Sequence, residues 1–231
     1  MTDADCYVNA GQALLQLGRY LQRTYPVPTT VGNQYPEDEA VLAKLLPPEG
    51  LDMDLYVDIG ASFPQECSNS WQFYKRGWRG LLIEPLSDCW PSILLDRPQD
   101  QLCPLAASNV TGFATLRVCQ SVSSLQPDWN ITPHETIPVR TDTLKNILAR
   151  YPWHDWRNKT RLCSIDVEGH EREVLEGFDW ATFKPTVIVV EFRSYDPEKP
   201  GPDVSANWRH ILEGNGYSLH HEGELNQIYA L

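Results

Sequence analysis

"LYVDIGASFPQECSNSWQFYKRGWRGLLIEP", residues 55–85, decides the fold. It opens on a short apolar run, LYVDI, that breaks at Gly60. A run of that length bounded by turn residues fits a buried strand. SWQFYKRG is predicted as a helix, stopped by Gly77. RGLLIEP is a second buried strand ending at Glu84 and Pro85. Strand, helix and strand in this order form a β-α-β unit, whose right-handed crossover leaves the two strands parallel.

The alternation continues downstream. DCWPSILLD (88–96) reads as a helix with Pro91 near its first turn. QLCPLAAS (101–108) is a weaker third strand, and GFATLRVC (112–119) an extra strand or hairpin arm. DTLKNILARY (142–151) is a helix with Asp142 as its cap. RLCSIDV (161–167) is a strand, EREVLEGF (171–178) a helix and TVIVVEF (186–192) a strand. GYSLHH and NQIYAL close the chain as a hairpin around EGEL, which implies one reversed edge strand. Upstream, Ala10, Ala13, Leu14, Leu17 and Leu21 fall on one face of a helix over residues 5–24. Residues 26–36 are a proline-rich loop, followed by a short helix, DEAVLAKLL. Residues 1–50 are therefore an N-terminal helical extension, a candidate lid, and residues 51–231 one α/β domain with a mostly parallel sheet.

Composition narrows the function. The chain has 231 residues and a net charge of −12, a surface that repels phosphodiester backbones, so no nucleic-acid partner is expected. No run approaches the ~18 apolar residues of a membrane helix. The start, Met1 to Cys6, lacks a basic n-region and apolar core, so a cytoplasmic location is expected. The six cysteines form no C-x-x-C pair and are expected as reduced, mostly buried thiols. The N-x-[ST] triplets at Asn109, Asn130 and Asn158 then carry no sugar.

Ligands of open parallel sheets bind beyond the carboxyl ends of the strands. The first strand delivers Asp58, Gly60, Ala61 and Ser62 there, and the second Glu84. The third delivers Ala106, Ala107 and Ser108. The fourth delivers Asp166, Glu168, Gly169 and His170, and the fifth Glu191 and Arg193. Glu171 and Glu173 fall in a first helical turn and serve that helix. Glu84, one β-α-β unit after Asp58, suits a ribose diol, because a carboxylate accepts both hydroxyl protons. The turn DIGASFPQ has one glycine, which is poor support for the close pyrophosphate approach of a dinucleotide. S-adenosylmethionine has no pyrophosphate and carries an ammonium and a sulfonium, which acidic strand ends suit.

YVDIGASFPQ, FYKRGWRGLLIEP, IPVRTDTLKNIL, CSIDVEGHEREVLEGFDW and VIVVEF occur in that order. Together they resemble the FkbM-type S-adenosylmethionine-dependent methyltransferases over about residues 55–192, and GYSLHHEGELNQIYAL looks like that family's last hairpin. The resemblance implies a class I methyltransferase fold, Rossmann-like, with a mostly parallel seven-stranded sheet and a reversed C-terminal edge strand. It implies O-methylation of a hydroxyl on a sugar or secondary metabolite, so the expected partner is a small-molecule or carbohydrate acceptor. Carried over, Asp58, Gly60, Ala61 and Ser62 form the cofactor turn and Glu84 holds the ribose. Asp166, Glu168 and His170 lie beside the methionine moiety and acceptor, and Ser108 approaches the adenine. The sequence departs from the family at Ser62, where Asn is frequent, and at Ser164, where Lys is frequent.

Methyl transfer is an in-line displacement, so the acceptor oxygen must sit close to ~3 Å from the methyl carbon and lose its proton as it attacks. His170 is a candidate base, with a reference pKa of ~6.5, and Asp166 orients it or acts in its place. Asp166, Glu168 and Glu191 offer oxygen ligands for a divalent metal, although no metal is expected. The cluster YPWHDW, with Trp153 and Trp156, is a candidate platform for a sugar ring. Two competing classes are a methyltransferase-like binding module without catalysis and a nicotinamide-dependent oxidoreductase. The missing glycines disfavour the second.

Overall fold

The structure, a computed structural model, describes residues 36–46, 54–65, 67–119, 122–129, 131–151, 155–193 and 202–231. The expected helix over 5–24 lies outside the described residues, as does the expected loop over 26–36 except for Pro36, which instead begins a helix.

The β-α-β unit of the opening stretch forms as read. Strand β1 (Leu55–Ile59) is followed by helix α2 (Trp71–Lys75) and strand β2 (Arg79–Ile83), which pairs parallel to β1. Every residue of β1 is buried, as a central strand between two helical layers requires. Helix α1 (Pro36–Leu45) precedes the unit, and its Leu42 packs with Leu46 in the core under the sheet. Helix α3 (Trp90–Asp96) holds Pro91 in its first turn, where the missing N–H costs nothing.

The expected third strand divides in two. Strand β3 (Gln101–Cys103) pairs parallel to β2 and ends at Pro104, which has no N–H to donate. Strand β4 (Ala106–Ala107) leaves that sheet and joins a second one with β5 (Gly112–Val118) and β6 (Glu135–Asp142), in the order β4-β6-β5. The hairpin arm expected at GFATLRVC is thus β5, antiparallel to β6. Pro138 sits inside β6 where β4 does not reach, since β4 pairs only with Thr141 and Asp142. A proline is tolerated on such an edge.

Helix α4 (Leu144–Arg150) is capped by Thr143, whose side chain accepts the Asn146 N–H. Asp142, expected as that cap, is the last residue of β6 and instead takes the Thr143 N–H and the Asn146 amide. A short helix α5 (Trp156–Lys159) leads into β7 (Thr160–Ile165), helix α6 (Glu171–Glu176) and β8 (Val187–Glu191). Helix α7 (Arg209–Gly214), β9 (Ser218–Glu222) and β10 (Asn226–Ala230) close the chain.

The main sheet has seven strands in the order β3-β2-β1-β7-β8-β10-β9. All neighbours are parallel up to β8, and β10 is the reversed strand. It lies one place in from the edge. β10 is buried throughout and β9 is mostly exposed, so the apolar arm of the hairpin takes the inner position. One apolar cluster on the sheet gathers Val57, Ile59, Cys163, Ile165, Ile188 and Val190; another gathers Tyr56, Leu82, Leu162 and Val189. Alternating residues of each strand thus bury opposite faces. No helix among the described residues is long and apolar enough to cross a membrane.

Candidate active site

The carboxyl ends of β1, β2, β4 and β7 surround a cavity that opens to solvent. It is lined by Gly60, Ser62, Glu84, Asp166, Glu168 and His170, with Ala106, Ala107, Leu116 and Leu125 as apolar wall. The order of the sheet explains the place. β1 lies between β2 and β7, so chain direction switches sides there and leaves a crevice at the strand ends.

Gly60 makes the crevice geometrically feasible. It has φ +79, and a Cβ there would stand 1.7 Å from the Asp166 carbonyl oxygen. Its N–H donates to Ile83 O at 2.9 Å, while Asp166 N–H donates to Ile59 O at 3.0 Å. Three strand ends are thereby locked at one point. Ser62 follows in a left-handed conformation with φ +44.

Glu84 is buried at the end of β2. Its Oε2 accepts the Ser62 N–H at 2.8 Å and its Oε1 accepts the Leu86 N–H at 2.7 Å. Each oxygen keeps a lone pair for a further donor. Burial pushes its pKa up to about 7, against the pull of those two N–H groups.

Opposite, Asp166, Glu168 and Glu191 bring carboxylate oxygens within 4.8 Å of one another. Hydrogen bonding between the Asp166 and Glu191 side chains pulls Asp166 down against burial and pushes Glu191 further up. Burial raises Asp166 to about 6 and Glu168 to about 8, and raises Glu191 well above the usual carboxylate range. Among the described residues no Lys or Arg forms an ion pair with any of these three.

Glu168 has φ +55 and Gly169 φ +94. A left-handed backbone costs a non-glycine residue about 1–2 kcal/mol, so neighbours must hold it. Ser124 Oγ donates to Glu168 O at 2.6 Å, and Trp129 Nε1 donates to Glu168 Oε2 at 2.9 Å. Glu171 is buried in the first turn of α6 and faces backward. Its Oε1 accepts the N–H groups of Val167 at 3.2 Å and Gly169 at 3.0 Å. Burial raises it to about 7. Its place in the first turn was expected; its hold on the preceding loop was not.

His170 lines the cavity with both ring nitrogens engaged. Nδ1 meets Gln126 Nε2 at 3.0 Å and Nε2 meets Ser108 Oγ at 3.0 Å. Gln126 Nε2 is a donor, so Nδ1 accepts and Nε2 carries the hydrogen, donated to Ser108. Burial lowers the His170 pKa and keeps the ring neutral, although Glu173 at 3.5 Å pulls the other way. Both nitrogens are engaged, so His170 would act as a base by giving up one of these two bonds. Ser108 reaches this histidine and is not part of the cavity wall.

Asp58 and Ala61 are likewise not brought to the cavity. The Asp58 carboxylate accepts from Ser70 Oγ and lies 3.8 Å from Arg97 Nη1, in a buried network with Tyr56 and Asp100. The strand's period of two explains this. Asp58 shares a face with Tyr56, while Ile59 is directed to the cavity. Ala61 is buried, and its N–H donates to Ile83 O at 3.3 Å. Trp156, proposed as half of a sugar platform, is buried and donates to Tyr151 O, while Trp153 lies outside the described residues. Trp129, Ser124 and Gln126 were not singled out for the site from sequence. Their loop contacts span some forty positions of chain, a distance that local pattern does not encode.

A family model described as the Methyltransferase FkbM domain matches residues 58–219. The chain belongs to the FkbM methyltransferase family. Its sheet is that of a class I methyltransferase, and the FkbM match begins within β1 and ends in β9, spanning the whole cavity. Among solved structures the chain is similar to precorrin-6y C5,15-methyltransferase from Geobacter metallireducens GS-15, with 12% identity, a TM-score of 0.46, and coverage of 89% of this chain and 93% of that one. It is also similar to human methyltransferase 10 domain containing protein, with 12% identity, a TM-score of 0.39, and coverage of 95% and 94%. A possible exported protein from Bordetella parapertussis matches with 13% identity, a TM-score of 0.41, and coverage of 84% of this chain and 65% of that one. No curated protein matches the chain.

Proposed function

We propose that this FkbM methyltransferase uses S-adenosylmethionine to methylate a hydroxyl of a small polar acceptor, a sugar or secondary metabolite. One observation carries the proposal. One cavity has a buried carboxylate with spare lone pairs, Glu84, on one side and Asp166 and Glu168 on the other, with the Glu191 carboxylate within 4.8 Å of theirs and no Lys or Arg ion-paired to the three among the described residues. That donor set fits a ligand with a diol at one end and positive charge at the other. It fits a dinucleotide poorly, because a pyrophosphate would meet carboxylates.

When bound, S-adenosylmethionine supplies an electrophilic methyl group on a positively charged sulfur. Glu84, held in place by the Ser62 and Leu86 N–H groups, would hold the ribose by accepting hydrogen bonds from its two hydroxyls. Asp166 and Glu168 face the positive charge, which favours their ionised forms. Asp166, Glu168 or His170 takes the acceptor's proton, since all three line the cavity. His170 keeps Ser108 and Gln126 in place. We assign the acidic trio to the cofactor's positive charge, because Asp166 and Glu168 face the same cavity as Glu84.

The test is to incubate the protein with methyl-labelled S-adenosylmethionine and a fractionated small-molecule extract, with Glu84→Ala as control. A labelled, alkali-stable ether product formed only by the unaltered chain supports the proposal. Label on nitrogen or carbon, or none at all, contradicts it.

A further inference from the structure

We infer that Trp129 is a positioning residue that holds the Glu168 carboxylate toward the cavity, so that the loop of the small sheet forms one wall of the cofactor site. The inference rests on the S-adenosylmethionine reading above. Glu168 occupies a left-handed backbone position that its own residue type disfavours. Trp129 fixes it in two ways. Its indole N–H donates to Glu168 Oε2 at 2.9 Å, and its ring lies against Gly169. A Cβ at Gly169 would stand 2.4 Å from the indole, so the absence of a side chain at that position is what lets the ring approach.

The tryptophan is itself braced. Arg117 donates through Nη1 to Trp129 O at 2.8 Å and to Gln126 O at 3.0 Å, and through Nη2 to Ile131 O at 3.0 Å. Arg117 belongs to β5, and Ser124 pairs with it across an isolated bridge. From the same loop Ser124 Oγ takes Glu168 O and Gln126 takes His170 Nδ1, while Ser123 and Leu125 line the cavity. One arginine thus gathers three carbonyls of a segment whose side chains grip both Glu168 and His170. A loop needed only to cover the sheet would not aim its indole N–H at a cavity-lining carboxylate.

S-adenosylmethionine and S-adenosylhomocysteine differ in the methyl group and the positive charge on sulfur. A carboxylate aimed into the site favours the charged ligand; a misplaced one does not. Calorimetric titration of both ligands into the unaltered chain, Trp129→Phe and Glu168→Gln reads this difference. The expected result is an about tenfold loss of S-adenosylmethionine affinity in both variants, against less than about twofold for S-adenosylhomocysteine. Equal losses for both ligands would reduce Trp129 to packing and overturn the inference, as would no loss at all. If the variants do not fold, the Trp129 indole N–H resonance of the ¹⁵N-tryptophan-labelled unaltered chain decides. It should move when S-adenosylmethionine is added and stay put with S-adenosylhomocysteine; the same response to both counts against the inference. An unaltered chain that binds neither ligand would sink the methyltransferase reading instead. The indole N–H should then still be protected from solvent exchange by Glu168, and free exchange there would contradict the inference separately.

Discussion

Glu84 and Ser62 are joined across two strand ends by a backbone N–H to carboxylate bond of 2.8 Å. The same carboxylate takes the Leu86 N–H, so one side chain fixes both loops that border the cavity. Its replacement should therefore cost more than one ligand contact. Glu84→Gln keeps the shape but offers only one acceptor oxygen. We expect S-adenosylhomocysteine affinity to fall about tenfold to a hundredfold, measured by calorimetry, from a lost charge-assisted bond of about 1.5–3 kcal/mol.

Asp58 should behave in the opposite way. Its carboxylate is turned to Ser70 and Arg97, not to the cavity. Asp58→Asn weakens a buried charge pair while leaving the ligand wall intact. Stability in urea should drop by about 3 kcal/mol, with S-adenosylhomocysteine affinity changed by less than about threefold. A large loss of affinity in a stably folded variant would return Asp58 to the cofactor site.

Two glycines separate conformational strain from collision. Gly77 has φ +95 and open space around a Cβ, so Gly77→Ala should cost about 1–2 kcal/mol. Gly60 combines φ +79 with the Asp166 carbonyl oxygen 1.7 Å from a Cβ. Gly60→Ala should cost more than about 4 kcal/mol or prevent folding. Denaturant midpoints of the two variants, taken side by side, check the difference.

Acidity gives stability and binding opposite slopes. Burial raises Glu84 and Glu171 to about 7 and Glu168 to about 8. An unfolded chain titrates glutamates near ~4.3, so the folded state holds protons that the unfolded state has released. Their stabilising contribution is present at low pH and is lost as pH rises through about 7–8. His170, lowered by burial, works the other way, but its contribution is complete above the ~6.5 of an unfolded histidine. Between about pH 6.5 and 8.5 the melting temperature of the ligand-free chain should therefore fall. S-adenosylmethionine affinity should rise over the same range, because a cation favours the ionised carboxylates. Scanning calorimetry and titration at both ends of the range read the two slopes.

Strand ends and their order were legible because each main strand is a short apolar run closed by a turn residue. Glu84 could be placed for that reason. Asp58 could not, since the strand end is visible in sequence but the face on which a residue emerges depends on register with its neighbours. The small sheet was half hidden because Pro138 interrupts β6, and its tolerance there depends on how short β4 is. Trp129 was invisible as a site residue. Its bond to Glu168 joins residues 39 positions apart through a loop with no periodic pattern. His170 was found by its motif, yet its hydrogen bonds to Gln126 and Ser108 were not legible, both partners being distant in sequence.

The central claim is that this cavity takes S-adenosylmethionine between Glu84 and the acidic end of β7. Calorimetric titration of the unaltered chain and Glu84→Ala with S-adenosylmethionine, and separately with NAD⁺, tests it most directly. The account predicts one-site binding of S-adenosylmethionine, lost or severely weakened in the variant, and no binding of NAD⁺ to either. Binding of NAD⁺, or S-adenosylmethionine binding that ignores Glu84, would contradict it.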